Sequence, residues 1–257
     1  MNNVYIMSAN RSAIGGFGGT LKNHCPVDLG TLVAKEAIAR SGYEANEVEH
    51  AVFGNVIHTE PRDMYVSRVI ALQAGMDKAS AALTVNRLCG SGLQAIVSAS
   101  QILMLGDASV AIAGGVEVMS NGAHIVQGFR WGSRMGDGQV HDMMLGALHD
   151  PFGHGHMGIT AENISSRYQI SREMQDEFAL TSQKRAYEAI ENGAFKDQIL
   201  PIEIKTRKGI EIFEIDEHPK PETSMETLTG LRTAFKKDGV VTAGNASGIN
   251  DGASALV

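Results

Sequence analysis

Residues Thr84–Gly106 have the sequence TVNRLCGSGLQAIVSASQILMLG, which is the most informative part of the chain. An extended apolar run turns sharply at Asn86–Cys89 and passes through a glycine-serine-glycine sequence into a predicted helix, Ser91–Leu105. Apart from two glutamines and its serines, this helix is apolar nearly all round, so we expect it to be buried. A strand that leads directly into a buried helix is typical of α/β folds, in which helices cover a sheet.

The segments before and after this stretch also alternate between strand-like and helix-like patterns. Pro26 is predicted to open a helix that Gly42 closes, and a second helix, at residues 62–75, has Tyr65, Val69 and Leu72 on one face. The predicted strands are the short apolar segments Val4–Ser8, His50–Ile57, Ala81–Asn86 and Ser109–Ala113. The order β-α-β-α-β-α-β predicts an α/β layered domain with a mostly parallel sheet and helices on both of its faces.

The pattern changes at about residue 119. Residues 119–158 are rich in glycine, methionine and histidine and show no clear period, which indicates an inserted lobe of loops. One helix is predicted after Thr160 and a longer one from a Ser171 N-cap to Gly193, and strand-like alternation follows at Ile199–Ile215. One side of the longer helix is lined by Met174, Phe178, Tyr187 and Ile190. We therefore expect a core of residues 1–118 and about 244–257, with the inserted lobe at about 119–243.

Composition and charge argue against several classes of protein. Hydrophobic residues make up 43% and charged residues 20% of the chain, which is ordinary for a globular domain, and the net charge of -7 argues against a nucleic-acid-binding surface. The two cysteines, Cys25 and Cys89, do not form a disulfide framework. The N-terminus lacks the pattern of a signal peptide, and we expect no apolar run long enough to span a bilayer. We therefore expect a cytoplasmic protein that binds neither nucleic acid nor a membrane.

Cys89 is the residue whose local pattern points to chemistry. It precedes a helix whose first backbone N–H groups stabilise a thiolate, and the glycines that follow let the backbone approach a substrate carbonyl. The same N–H groups are suited to bind an oxyanion, as in a hydrolase nucleophile elbow. The local pattern alone fits a small buried hydrophobic residue equally well. Cys25 precedes a proline and has no glycine-rich turn, so we expect only a structural role for it.

Two other patterns suggest binding sites without specifying one. Histidines and aspartates cluster at 141–156, but no fixed ligand set such as HExxH occurs, so we expect no metal site. The run IGGFGGT, Ile14–Thr20, superficially resembles a phosphate-binding loop. It lacks a GK[ST] ending and the strict GxGxxG order, so we expect an ordinary loop.

Several segments, taken in order, resemble thiolases. NRLCGSGLQAI (Asn86–Ile96) resembles the active-site signature of that family, with Cys89 at the position of the acylated cysteine. Further matches, which extend over essentially the whole chain, are RSAIGGFGG (Arg11–Gly19), AGGVEVMS (Ala113–Ser120), HMGITAEN (His156–Asn163) and TAGNASGINDGA (Thr242–Ala253). NVIHTEPRDMY and MMLGALHDPF are most similar to bacterial β-ketothiolases of broad chain length and acetyl-CoA acetyltransferases.

The resemblance implies an acyl-CoA C-acyltransferase that works through an acyl-Cys89 intermediate. The reaction is the reversible thiolysis of a 3-ketoacyl-CoA or, in the other direction, the Claisen condensation of acetyl-CoA. The family uses coenzyme A (CoA) and acyl-CoA as substrates and needs no metal or redox cofactor. Its members form dimers and tetramers, so we expect a homo-oligomer.

In the family the inserted lobe holds CoA. Matching motifs assign the CoA-binding surface of this chain to Leu148, His156, Met157, Lys220, Phe235, Ala243 and Ser247. Lys220 lies near a position where the family usually has an arginine, and lysine keeps the charge but loses the planar stacking surface. Without the resemblance, ordinary packing would account for each of these residues except His156.

Three segments of the family's second domain do not occur in this sequence. The general base lies in a Gly-His-Pro segment and the second acid/base cysteine in a Cys-x-Gly-Gly-Gly segment. The asparagine that binds an oxyanion lies in an Asn-Glu-Ala-Phe segment. We therefore expect the C-terminal domain to be absent and the chain to have little turnover alone. One alternative is a non-catalytic half-thiolase that binds acyl-CoA or a thiolase subunit. Another is the reaction of the related ketoacyl synthases or hydroxymethylglutaryl-CoA synthases, over which GGVEVMS and HMGITAEN favour a thiolase.

Overall fold

The structure is a computed structural model that describes residues 3–257. Its strands are β1 Ala9–Ser12, β2 Gly15–Gly16, β3 His50–Gly54, β4 Ala81–Val85, β5 Ala111–Val118, β6 His124–Val126, β7 Val140–Asp142, β8 His149–Asp150, β9 Gly155–His156, β10 Ile199–Leu200, β11 Ile202–Thr206, β12 Gly209–Phe213 and β13 Asn250–Leu256. Its helices are α1 Pro26–Ser41, α2 Val66–Gln73, α3 Ser91–Leu105, α4 Met143–Ala147, α5 Met157–Tyr168, α6 Arg172–Glu191 and α7 Met225–Thr229. Short 3₁₀ helices lie at Ala45–Glu47, Pro61–Tyr65, Met119–Asn121 and Phe129–Trp131.

The described residues form two compact units. The first contains the residues up to Met143, Lys196–Glu217 and Asn250–Val257, and the second contains Met144–Phe195 and His218–Ile249. The first unit therefore includes two segments, 119–143 and 196–217, that the sequence pattern assigned to the inserted lobe. The second of these segments belongs there because β10 pairs with β1 at the edge of the main sheet.

The main sheet of the first unit has the strand order β10-β1-β13-β5-β3-β4, with β2 paired to β13. The pairings β1–β10, β3–β4 and β3–β5 are parallel. Strand β13 runs antiparallel to β1, β2 and β5, whereas the other six strands all run in one direction. The sheet is therefore mostly parallel, as predicted, with one antiparallel strand. The direction of β13 is not set by a short crossover, because the long segment from Met119 to Ile249 separates it from β5.

Helices cover both faces of this sheet, as predicted. Ala95 and Ala99 of α3 pack against a cluster that contains Ala113 of β5. On the other face, Gly30 of α1 lies against Ile70 of α2 and Val116 of β5. Since side chains alternate along a strand, the alanine and the valine of β5 point to opposite faces.

Two predicted elements differ from the structure. Residues 4–8 form no strand, and Tyr5, Ile6 and Met7 are exposed. The N–H groups of Met7 and Ser8 donate to the carbonyl oxygen of Val257, just after β13, but the regular ladder with β13 begins at β1. Strand β5 continues past the predicted end at residue 113. Gly114 is required within the strand, since a Cβ atom there would lie 2.3 Å from the carbonyl oxygen of Ser254.

The apolar face predicted for the second helix points outward. Tyr65 is 66% and Leu72 is 42% exposed, whereas Val66 and Ile70 are buried. The helix has apolar residues on both of its sides, and the side that is buried contains Val66, Ser67, Ile70 and Ala71. The sequence pattern alone therefore did not decide which side packs on the sheet.

The second unit begins its longest helix, α6, where the sequence predicted. The Ser171 hydroxyl accepts a hydrogen bond from the backbone N–H of Met174 at 3.2 Å, which confirms the predicted N-cap. The predicted apolar side of α6 is largely exposed, with Phe178 78% accessible. In the same unit, the buried carboxylate of Glu162 accepts hydrogen bonds from the N–H groups of Val240 and Val241 at 3.0 and 2.9 Å.

One helical stretch corrects the expectation about membrane spans. Leu88–Leu105 has the length and, with a mean hydropathy of 1.5, the composition of a helix that crosses a bilayer. This is weak evidence for a membrane segment, because core helices of globular domains have the same properties. Here the stretch packs on the main sheet through Ala95 and Ala99.

Candidate active site

Cys89 lies in the turn that joins β4 to α3. The parallel strands β3, β4 and β5 all end at this edge of the sheet. The backbone N–H of Asn55, just after β3, donates to the carbonyl oxygen of Val85, the last residue of β4, at 3.2 Å. The predicted order of strand, cysteine turn and helix is therefore present, and it places Cys89 where ligands commonly bind in α/β folds.

Side chains within the turn fix its backbone. The Ser91 hydroxyl accepts a hydrogen bond from the N–H of Arg87 at 2.8 Å and donates one to the carbonyl oxygen of Leu88 at 2.6 Å. The Oδ1 atom of Asn86 accepts from the N–H of Leu88 at 3.0 Å. The turn thus has a defined geometry before any ligand binds.

Leu88, directly before Cys89, has a left-handed backbone with φ of 48°. The other described non-glycine residue with positive φ is Gln169, which follows the end of α5. A leucine in this region crowds its Cβ atom against the backbone, at a cost of about 1–2 kcal/mol. Strain of this kind is found preferentially at functional sites.

Glycines let the start of α3 lie directly on the sheet. A Cβ atom at Gly54 of β3 would lie 2.7 Å from the backbone carbon and the Cβ of Ser91. A Cβ atom at Gly115 of β5 would lie 3.4 Å from the Cα of Gly92. The height of the cysteine turn above the sheet is therefore set by backbone contact.

The prediction that α3 is buried all round is wrong. Ser91, Ala95 and Ala99 are buried at a spacing of four residues, whereas Leu93 is 69% and Leu105 is 78% exposed. One face packs on the sheet and the other is open, because within the described residues a single sheet covers it. Cys89 is likewise exposed, so its thiol is accessible to a substrate.

Glu117 links the ends of β3 and β5 beside this turn. Its carboxylate accepts hydrogen bonds from the N–H groups of Val56 and Ile57 at 3.0 and 2.9 Å and from Asn55 Nδ2 at 3.1 Å. Burial raises the pKa of Glu117 to about 7, and the nearby Asp63 adds to the shift, although the two backbone hydrogen bonds oppose it.

Cys25, the second thiol, has a different environment. It is half-buried at the start of α1, and Arg62 Nη2 lies 3.2 Å from its Sγ. Burial and a hydrogen bond with Asp28 raise the pKa of Cys25 to about 12. The thiol therefore stays protonated near neutral pH, which fits the structural role predicted for it.

The second unit brings together four of the predicted CoA-binding residues. His156 caps α5 and accepts a hydrogen bond from the N–H of Gly158 at its Nδ1, and its ring stacks on Phe235 with 4.8 Å between centroids. The N–H of Met157 donates to the carbonyl oxygen of Leu148 at 2.8 Å. Burial, followed by the nearby His149, lowers the pKa of His156, which favours the neutral ring with its proton on Nε2.

Ala243 and Ser247 are exposed on a segment that the unit holds firmly. Asn245 Nδ2 donates to Asp176 Oδ1 at 2.9 Å, and Asn245 Oδ1 accepts from the N–H of Thr242 at 2.7 Å. Asp176 is fully buried and pairs with Arg172 at 2.6 Å. Lys220 is exposed, and its backbone N–H donates to Gln183 of α6 at 2.8 Å.

The alternative sites suggested by the sequence receive no support. Within residues 3–257, no group of three or more histidine, cysteine, aspartate or glutamate side chains is placed to hold a metal ion. In the IGGFGGT loop, the N–H of Gly16 donates to Glu217 at 2.8 Å and that of Gly18 donates to the Ser120 hydroxyl at 2.8 Å. Since protein groups already occupy these donors, the loop does not resemble a phosphate cradle.

Sequence reasoning missed two features around the turn. The position of Ser91, between two glycines at the start of a helix, is recognisable in the sequence. Its hydrogen-bond partners, the N–H of Arg87 and the carbonyl oxygen of Leu88, are known only from the structure. Asn55 and Glu117 are far apart in the sequence, and no local pattern connects them. Only the parallel pairing of β3 with β5 brings them together.

Comparisons with known proteins agree with this fold. The sequence profile of the family described as thiolase, N-terminal domain, matches residues 4–257. The β-ketothiolase BktB of Cupriavidus necator is 56% identical over 255 residues, which cover 99% of this chain and 65% of that protein. The acetyl-CoA acetyltransferase of Bacillus anthracis has a crystal structure that matches with a TM-score of 0.95 at 46% identity, over 100% of this chain and 65% of that one.

A third relative was solved with a ligand. The structure of human mitochondrial 3-ketoacyl-CoA thiolase in complex with CoA matches with a TM-score of 0.94 at 39% identity, over 98% of this chain and 63% of that one. The chain thus spans about 65% of the length of the curated relatives that it matches. With a family profile that covers nearly every residue and the same fold in solved relatives, the chain belongs to the thiolase family, as its N-terminal domain.

Proposed function

We propose that this chain transfers acyl groups between CoA and Cys89, as the nucleophile-bearing part of an acyl-CoA C-acyltransferase. The observation that supports this most is the position of Cys89, which is exposed at the start of α3 and at the edge of the sheet where β3, β4 and β5 end. Membership of the thiolase family supports this proposal, since NRLCGSGLQAI resembles the family's active-site signature with Cys89 at the position of the acylated cysteine.

In the degradative direction, the Cys89 thiolate attacks the 3-keto carbon of a 3-ketoacyl-CoA. The bond between C2 and C3 then breaks, the electron pair goes to C2, and protonation of C2 releases acetyl-CoA. The thiolate of a second CoA attacks the acyl-cysteine thioester and regenerates Cys89. In the biosynthetic direction, acetyl-CoA acylates Cys89 with loss of CoA. The C2 carbanion of a second acetyl-CoA, formed by loss of a C2 proton, then attacks the thioester, the C–S bond breaks, and acetoacetyl-CoA and the Cys89 thiolate are released. Neither direction requires a metal or a redox cofactor.

The contribution of this chain is binding, orientation and charge stabilisation. In the first turn of α3, the N–H of Ser91 donates to the carbonyl oxygen of Leu88, whereas those of Gly92 and Leu93 have no partners within the helix. N–H groups at this position stabilise the negative charge on an attacked carbonyl oxygen. The turn geometry set by Ser91 and Asn86 holds these groups in place before substrate arrives. Such preorganisation is the main source of electrostatic catalysis.

The CoA surface is proposed to be the one predicted in the second unit. The stacked rings of His156 and Phe235, with the 43% exposed Met157 beside them, offer an apolar wall to the pantetheine chain. The exposed Ser247 offers a hydroxyl to a pantetheine amide, and Lys220 offers a charge to a phosphate. The human relative solved in complex with CoA supports this assignment.

The test is acetyl transfer from acetyl-CoA to the protein, measured by intact mass and located by peptide mapping. We expect one acetyl group on the native chain, sensitive to hydroxylamine as a thioester is, and none on Cys89→Ser. The matched control is Cys25→Ser, which should acetylate like the native chain because the Cys25 thiol stays protonated. An acetyl thioester that persists in Cys89→Ser contradicts the nucleophile assignment. CoA binding without acetylation favours the non-catalytic half-thiolase instead.

We also propose a cytoplasmic homo-oligomer. The hairpin of β6 and β7 exposes Phe129, Trp131 and Met135 by 73%, 88% and 96%. Strand β4 lies at the edge of the main sheet with Leu83 43% exposed. Apolar side chains and sheet edges of this kind usually pack against another chain.

A further inference from the structure

The turn before α3 contains a backbone conformation that the leucine side chain itself does not favour. Leu88 has φ of 48°, where glycine or asparagine is usual, and it directly precedes Cys89. Its side chain is 51% exposed, so burial of the leucine contributes little to offset the strain. Some other interaction has to hold this conformation.

Two side chains supply such interactions: Asn86, whose Oδ1 accepts from the N–H of Leu88 at 3.0 Å, and Ser91, through its hydroxyl. The hydroxyl accepts from the N–H of Arg87 at 2.8 Å and donates to the carbonyl oxygen of Leu88 at 2.6 Å. These two partners lie on either side of the strained residue. One hydroxyl therefore fixes the direction of the chain as it enters and as it leaves the left-handed conformation.

Ser91 itself has little freedom to move. The residue is 5% exposed. It packs so closely on Gly54 of β3 that a Cβ atom at Gly54 would lie 2.7 Å from the backbone carbon and the Cβ of Ser91. Ser91 N–H also donates to the carbonyl oxygen of Leu88 at 2.9 Å. Close packing on β3 thus fixes the position of Ser91, and the hydrogen bonds of its hydroxyl fix the position of the turn.

We propose that Ser91 is a positioning residue for Cys89, because its hydroxyl holds Leu88 in the left-handed conformation and so places the thiol at the start of α3. This inference rests on the proposed function, since Ser91 acts through the proposed nucleophile. Without the hydroxyl, Leu88 relaxes toward negative φ and the thiol moves away from the first N–H groups of the helix.

The experiment is a double-mutant cycle on the reactivity of Cys89. Native chain, Ser91→Ala, Leu88→Gly and the double variant are alkylated with iodoacetamide, and peptide mass spectrometry gives the rates at Cys89. We expect Ser91→Ala to slow Cys89 alkylation about threefold to tenfold, because the thiol is no longer held at the start of the helix. Ser100→Ala, on the same helix, is the matched control and should react like the native chain.

A glycine at position 88 should reduce the effect of Ser91→Ala, which it would not do if Ser91 had only a general structural role. Glycine adopts positive φ without steric cost, so the turn no longer needs the hydroxyl. We expect Ser91→Ala to slow alkylation much less in the Leu88→Gly background than in the native background. Equal slowing in both backgrounds overturns the proposal, as does an unchanged rate in a folded Ser91→Ala variant.

Two provisions keep the outcome decisive. If Ser91→Ala alone fails to fold, the comparison of Leu88→Gly with the double variant carries the test: equal rates support the proposal, and a further slowing in the double variant overturns it. Acetyl transfer from acetyl-CoA to the native chain is measured in parallel. Its absence contradicts the proposed function, whereas the alkylation cycle judges the role of Ser91.

Discussion

Gly158 controls the contact between two of the proposed CoA-binding rings. A Cβ atom at this position would lie 2.3–2.4 Å from the ring of Phe235, and the Gly158 N–H donates to Nδ1 of His156 at 3.0 Å. Phe235 in turn stacks on His156. At the scale of single residues, the absence of a side chain at 158 therefore leaves room for Phe235 to stack on His156. The backbone N–H of Gly158 favours the histidine tautomer that has its proton on Nε2.

We predict that Gly158→Ala displaces Phe235, destabilises the second unit by about 1–3 kcal/mol and weakens the binding of CoA. Urea unfolding and calorimetric titration with CoA measure the two effects. The control is Gly146→Ala in α4, where a Cβ atom meets nothing within 4 Å and alanine favours the helix by up to about 1 kcal/mol. Equal stability and equal CoA affinity in the two variants would contradict the prediction.

At the scale of elements, Glu117 of β5 forms hydrogen bonds with the loop after β3. Its protonation makes the stability of this contact depend on pH. The pKa of Glu117 in the folded chain is about 7, against an ordinary value of 4.5. The folded state therefore keeps the proton over a range of pH in which the unfolded state has lost it. The resulting stabilisation is complete below about pH 4.5 and is lost as the pH rises through about 7.

We predict that the free energy of unfolding falls by up to about 3 kcal/mol between pH 4.5 and 8 on account of this residue. Glu117→Gln removes the titration, so the variant should gain stability relative to the native chain as the pH rises. Part of the slope remains, because the pKa of Asp251 is also raised by burial. Urea unfolding at pH 5 and pH 8 measures the change, with the exposed Glu203→Gln as control. Parallel pH profiles for native chain and Glu117→Gln would refute the assignment.

The same elements show what a sequence pattern can predict. The bounds of α1 and α3 follow from Pro26, Gly42 and the glycines around Ser91, which are local signals, and both helices lie where expected. The buried face of α2 was not predictable, because apolar residues lie on both sides of this helix and the buried side includes a serine, Ser67. The direction of β13 was not predictable either, since it depends on a return over a long segment rather than on any local pattern.

At the scale of the whole molecule, the sequence located the candidate site better than it described its surroundings. The turn at Cys89 was predictable because its glycines and its apolar helix lie next to it in the chain. Its exposure was not, since that depends on what covers the outer face of α3. Among the CoA residues, Leu148, His156, Met157 and Phe235 lie together, but only the fold shows that Gly158 makes their packing possible.

The exposed hairpin of β6 and β7 gives a test of assembly at this scale. Phe129 and Trp131 are 73% and 88% exposed, and a second copy of the chain that covers them would remove this apolar surface from water. We predict that Phe129→Ser/Trp131→Ser shifts the protein to a smaller oligomer, measured as molar mass by light scattering after size exclusion. The control is Phe152→Ser, in the second unit, where the ring is 84% exposed but lies outside the hairpin. An unchanged mass in the double variant, or an equal shift in the control, would show that the hairpin is not the surface that joins the copies.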